Sequence, residues 1–397
     1  MLDTPQLLDP APSANAPTND LTFVNAHIVL PDQVENTTVS LEGGVIAGVG
    51  YGDAPTSVHD CQGDYLIPGI VDVHTDHVET HVHPRSTVQW AFLPSLLAHD
   101  GVVISGGTTT VFDSLCVGAS MKRPERREIL APLIDALEQG IAANAFRADH
   151  LLHLRCEISD PETSELARDA LRRPISRLVS VMDHTPGDRQ SPNVERWFNH
   201  MIHEMEIDEE EGRERMAELF ERSARVGAAV RAEIIEAANA RSVSLMTHDD
   251  RTIEHVDQAE AEGIHISEFP TTLDAARRAK TLGLATIAGA PNYLRGGSQS
   301  GNVAVKELIQ NGVVDALASD YVPRSLLDCA FALAADPEIE LDLPATIQLV
   351  TANPARLTGL TDRGRIEVGL RADLAQVRVV EGQPIVRGVW REGERVF

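Results

Sequence analysis

Positive charge is scarce in this sequence. Its 397 residues carry 34 Lys and Arg against 60 Asp and Glu, a formal net charge of −26. A surface so acidic repels polyanions, which excludes nucleic acid and anionic membranes as expected partners. Cysteine is also scarce. Cys61, Cys116, Cys156 and Cys329 lie far apart and form no CxxC pair. That argues against a disulfide framework and predicts a reduced, cytoplasmic protein. No apolar run approaches bilayer length. The segment MLDTPQLLDPAPSANAPTND has neither the basic start nor the apolar stretch of a signal peptide. Its Pro, Ala, Asn and Asp content predicts a loosely ordered tail over 1–20. No internal repeat is visible. Apolar residues make up 43% of the chain, enough to bury a sizeable core.

After the tail the pattern turns to short strands. LTFVNAHIVL, TTVSLEGGVIAGVG and GDYLIPG alternate apolar and small polar residues between Gly-rich turns. GRIEVGLRADLAQVRVV and QPIVRGVWREGERVF repeat that texture at the other end. The economical expectation is one small β-sandwich domain built from 21–66 and 366–397. Between them, short apolar runs alternate with helical stretches whose apolar residues recur at three and four. About eight such repeats predict an α/β fold, a (β/α)8 TIM barrel over 67–365. A doubly wound open sheet is the competing arrangement. WFNHMIHEMEIDEEEGRE, from Trp197, reads as a solvated helix face with its connecting turn.

In a barrel, chemistry gathers where the strands end. VDVHTDHVETHVHP, residues 71–84, packs four His, two Asp and one Glu into fourteen positions. Strand one ends in His74 and Asp76, two apart and so on one face. Strand three ends in Glu157, four in His184, five in His248, six in Glu268 and eight in Asp320. A lone strand-end His more often caps a carbonyl. Six ligand-type residues (His74, Asp76, Glu157, His184, His248 and Asp320) at the ends of five strands point instead to a metal centre. This mix of imidazole and carboxylate suits two divalent ions, zinc first, with Mn, Fe or Ni as alternatives, rather than Ca. Asp320 is also the expected catalytic base. Asp113 is expected to be structural.

APNYLRGGSQSGN, residues 290–302, follows strand seven. Arg295, Gly296, Gly297 and Ser298 there combine a guanidinium, a hydroxyl and close backbone approach, as a phosphate requires. Barrels often hold phosphate after strands seven and eight. On so acidic a chain, Arg85, Arg155 and Arg189 near strand ends are further candidates, and His81 is expected to line the same substrate pocket.

The lead-in GDYLIPGIVDVHTD and the block NPARLTGLTDRGRIEVGLRADLAQVRV resemble the amidohydrolase superfamily. Asp76 stands where that family usually has the second His of HxH. No strand-four Lys stands out, and Glu157 is placed to take over its bridging role. Finer blocks run in order: HTDHVETHVHPR, LLAHDGVVISGGTTTVFDSL, HLRCEIS, SVMDHTPGDRQ, THDD, SEFPTT, APNYLRGGSQSGN and ASDYVP. Together they resemble the diphosphatase branch of the carbon–phosphorus lyase pathway, over nearly the whole chain past the tail. One departure is Thr80, where that branch is expected to carry Lys. The resemblance implies metal-dependent hydrolysis of alpha-D-ribose 1-methylphosphonate 5-triphosphate to the 5-phosphate and pyrophosphate, in phosphonate catabolism. The partner expected is thus a small phosphorylated molecule, and the chain is expected to form a homo-oligomer. The competing expectation is an amide-hydrolysing or deaminating amidohydrolase.

Overall fold

Eight of the short apolar runs in the middle of the chain pair as parallel strands. The computed structural model describes residues 20–50, 57–85, 88–118, 125–298 and 300–397, so nearly all of the expected tail lies outside the described residues. Among the described residues there are sixteen strands. The barrel strands are β6 (Ile70–Thr75), β7 (Thr108–Val117), β8 (Asp149–Glu157), β9 (Ser176–Met182), β10 (Ser244–His248), β11 (Ile266–Glu268), β12 (Ala285–Gly289) and β13 (Ala316–Ala318). Each pairs with its neighbour in chain order, from β6 to β13. The ends nearly close: Thr75 bridges Asp320, the Asp320 N–H donates to the His74 carbonyl at 2.9 Å, and the Asp76 N–H donates to the Asp320 carbonyl at 3.2 Å. The open-sheet alternative is therefore wrong, and closure brings His74, Asp76 and Asp320 together.

Val71, Val73, Phe112, Leu178, Met246, Ile266 and Ile287 form one buried cluster with Ala355, from the short helix Ala352–Leu357. A larger cluster fills the space between the wall and the surrounding helices, including Leu115, Leu130, Leu154, Val181, Ile234 and Val256. Each fully buried side chain of this size contributes roughly 1.5–3 kcal/mol.

Both ends of the chain enter one mixed sheet. Its order is β16 (Glu394–Arg395), β15 (Gln383–Arg391), β14 (Leu374–Val380), β5 (Tyr65–Pro68), β1 (Leu21–Val29), β2 (Val34–Glu42) and β3 (Val45–Val49), with β4 (Val58–Asp60) also on β1. The β5–β14 pair is antiparallel and joins the two ends. Phe23 and Trp390 meet edge to face in its core, centroids 4.8 Å apart. Val377, Val386 and Val389 pack with Ile104 and Leu326, from the helices Phe92–Ser105 and Ser325–Ala335. Gly69 links β5 to β6, and a methyl there would overlap the Thr109 side chain.

The acidic segment forms the end of one helix, Val194–Met205, a turn, and the start of another, Glu209–Asn239. Asp208 caps the second helix by accepting from the Glu211 N–H, and Glu209, Glu210 and Glu211 fill its first turn. Negative charge is favourable at that end, which offsets the mutual repulsion of the four acids. All four cysteines are buried and free. Among the described residues, no helix is long and apolar enough to cross a membrane.

Candidate metal centre and cleft

Strand β8 shows how a two-residue period builds the site. Leu152, Leu154 and Cys156 pack outward with the helices. The alternate residues face in: His153 against Ser114 (3.0 Å) and Ser180 (2.9 Å), Arg155 against Asp76 (3.0 Å), and Glu157 against His184 (2.7 Å).

Glu268, at the end of β11, is fully buried and organises the centre. Its two oxygens accept from Nδ1 of His74 at 2.6 Å and Nδ1 of His248 at 2.5 Å. Burial alone would raise this carboxyl, but the imidazoles of His74, His153 and His248 hold it well below the ordinary range. The His74 and His248 rings lie nearly parallel, centroids 5.9 Å apart at 19°. With Nδ1 engaged, each ring offers Nε2. That of His74 is buried with no hydrogen-bond partner, and that of His248 lies 3.3 Å from Asp249. His184 approaches His248 edge on at 5.8 Å. His184, His248 and Asp249 each bring one ligand atom within 4.8 Å of the others, as do His74, His153 and Glu268.

At the mouth, burial opposes the charge on Asp76, but the Arg155 guanidinium keeps its carboxyl below the usual range. Asp320 has the opposite balance: burial, reinforced by the charge of Asp76, pushes it up to about 6. Its backbone is left-handed, φ 56°. Asp249 and Asp320 line an open cleft together with Arg295, Gly297, Ser298, Ser300, Asn302 and Tyr321. The Arg295 guanidinium donates to the Tyr321 hydroxyl at 3.2 Å. Gly296 and Gly297 have φ of 77° and 150°, and an added methyl at either would touch nothing, so they serve the turn rather than a close contact.

The structure thus gathers His74, Asp76, Arg155, Glu157, His184, His248 and Asp320, and joins Arg295, Gly297 and Ser298 to Asp320 in one cleft. Other expected pocket residues lie elsewhere. Arg189 is buried, donating to Asp250 and to the His248 carbonyl, both at 2.9 Å, so its charge supports the end of β10. Arg85 is exposed beyond the helix Val78–Val82, and His81 packs against His77 and His99. None of these three lines the cleft among the described residues. Asp113 is mid-strand, because β7 runs on to Val117; it faces outward and pairs with His99 and His150 at 2.8 and 2.7 Å. The sequence places Glu268 and Asp249 at the ends of strands six and five and His153 shortly before the end of strand three, but its local pattern assigns none of them to the metal set.

The donor set fits divalent metal. Three imidazoles have Nδ1 on a carboxylate, the arrangement that orients Nε2 towards an ion. The bare, buried Nε2 of His74 and the bare Oδ2 of Asp249 are the atoms an ion would satisfy. Asp76 has one oxygen committed to Arg155 and the other left to offer.

A parallel barrel with buried His and carboxylate clusters at its strand ends, and a mixed sheet from both termini, defines a hydrolase class. The chain belongs to the amidohydrolase superfamily: residues 194–397 match the amidohydrolase family, and a curated relative is similar throughout. That relative, the alpha-D-ribose 1-methylphosphonate 5-triphosphate diphosphatase of Escherichia coli K12, is 36% identical over 375 residues, 94% of this chain and 99% of its own. An imidazolonepropionase of Deinococcus radiodurans is 25% identical over 414 residues, 96% of this chain and 91% of its own. Among solved structures, a 5-methylcytosine deaminase from Klebsiella pneumoniae superposes with TM-score 0.64 at 17% identity, over 95% of this chain and 98% of that one. An L-hydantoinase from Arthrobacter aurescens gives 0.62 at 14%, over 95% of each. Those two likenesses concern fold alone.

Proposed function

We propose that the chain hydrolyses alpha-D-ribose 1-methylphosphonate 5-triphosphate. Water is consumed, the anhydride between the first and second phosphoryl groups breaks, and the 5-phosphate and pyrophosphate are released. The observation that carries this reading is the shared cleft, in which Arg295, Gly297 and Ser298 line the same space as Asp320. A guanidinium and a hydroxyl lining one cleft suit a polyphosphate better than an amide. The full-length likeness to the Escherichia coli diphosphatase supports the same reaction.

His74, His184, His248, Glu157, Asp76 and Asp320 would hold two divalent ions, zinc first among the candidates. When bound, such ions supply Lewis acidity to a phosphoryl oxygen and acidify water. The chain's own groups do the rest. Asp320 orients water and takes its proton. Arg295 neutralises the terminal phosphates and the charge that develops as the bond breaks. Glu268 keeps both imidazoles turned the right way. The test is pyrophosphate release from a ribose 5-triphosphate by metal-free, zinc-loaded and manganese-loaded protein. Metal-dependent release is expected. Full metal occupancy without release would overturn the reading and favour an amide-hydrolysing or deaminating activity on another small molecule.

A further inference from the structure

A second group of histidines lies apart from the barrel centre. His77 and His81 are four apart on one helical turn directly after β6, which puts them on the same face. Their rings meet at 4.9 Å, and both approach His99 of the helix Phe92–Ser105, at 5.8 and 6.0 Å. Each of the three brings one ring nitrogen within 4.8 Å of the other two.

The hydrogen bonds around them are lopsided. His99 is fully buried, and its Nε2 lies 2.8 Å from Asp113, which can only accept. Nε2 therefore carries a proton, and Nδ1 is the nitrogen that the neutral ring offers to an ion. That Nδ1 is buried without a partner, and so are Nδ1 of His77 and Nε2 of His81. Three unpaired buried nitrogens in one place are costly, about 1–3 kcal/mol each. Asp113 is itself anchored by His150 at 2.7 Å. A carboxylate behind an imidazole whose far nitrogen is bare is the arrangement that fixes a ligating histidine.

We infer that His77, His81 and His99 form a second divalent-metal site, outside the barrel wall, that clamps the turn after β6 onto the helix Phe92–Ser105. Three imidazoles suit zinc or a similar transition ion, with a fourth position left for water. The Ser95 hydroxyl, which donates to the His81 carbonyl at 3.0 Å, already ties the same two helices. The ion would hold the segment that follows Asp76, yet the site stands whether or not the barrel performs the proposed reaction.

The test is zinc stoichiometry of the full chain after equilibrium dialysis, read by elemental analysis. His77→Ala and His81→Ala should each bind one zinc per chain fewer than the wild type. Equal stoichiometry in all three would overturn the site. Because a variant could fail to fold, crystals of the wild-type chain soaked in zinc provide a second reading. An anomalous peak among the three rings supports the site, and its absence while the barrel is fully occupied overturns it.

Discussion

Glu268→Gln isolates the group that organises the barrel centre. The carboxylate accepts from Nδ1 of His74 at 2.6 Å and of His248 at 2.5 Å, one oxygen to each. Glutamine is nearly isosteric but offers a single oxygen. Its amide can accept from one ring and must turn its NH2 to the other. That second ring then loses a charge-assisted hydrogen bond, worth about 1.5–3 kcal/mol. Otherwise it moves its proton to Nε2, the nitrogen needed for an ion. Removing such an orienting partner typically weakens metal binding about 10–100-fold, or about 1.4–2.7 kcal/mol. The two estimates agree in size. Zinc affinity measured by chelator competition should therefore fall 10–100-fold in Glu268→Gln, with pyrophosphate release falling alongside at limiting zinc. Circular dichroism should stay native. A variant that kept wild-type zinc affinity and rate would show that Glu268 does not orient the two rings.

Arg295→Ala should raise KM for the triphosphate about 10–100-fold, the worth of one charged hydrogen-bonding partner, and an unchanged KM would remove the loop from the binding site. The buried group Asp100–His150–Asp113 should make stability depend on pH. Burial disfavours the charged imidazole, but Asp113 and Asp100 outweigh it and push His150 up to about 9 from an ordinary 6.5. Its contribution is thus complete below pH 6.5 and lost as pH rises through 9, about 3 kcal/mol in all. Urea unfolding from pH 6 to 10 should show that fall in the wild type and not in His150→Gln; parallel curves would refute the pairing. Gly69→Ala should lower the unfolding free energy by about 1–3 kcal/mol, because the methyl meets the Thr109 side chain at the junction of sheet and barrel. An unchanged denaturation midpoint would show that the junction yields freely.

Local pattern made part of this molecule legible. Alternation and helical period are properties of a few adjacent residues, so the eight strands and the β-rich ends could be read directly. The strand-end positions of His74, Glu157, His184, His248 and Asp320 followed from the same reading. Asp113 was harder to place, because the length of β7 depends on its partners: the strand continues to Val117, leaving Asp113 mid-strand. Arg189 was attractive as a cation beside a strand end, yet its charge is committed to Asp250 sixty-one residues away.

The sequence by itself determined the class of fold and the inventory of ligand-type residues. Tertiary structure alone decided which of those residues face one another and which of their atoms are left to bind. Glu268 meets His74 across 194 residues, and Arg155 meets Asp76 across 79. No periodicity spans such distances. They are set by barrel closure and by the strand twist that aims each side chain. The availability of a ring nitrogen then depends on the partner its other nitrogen finds.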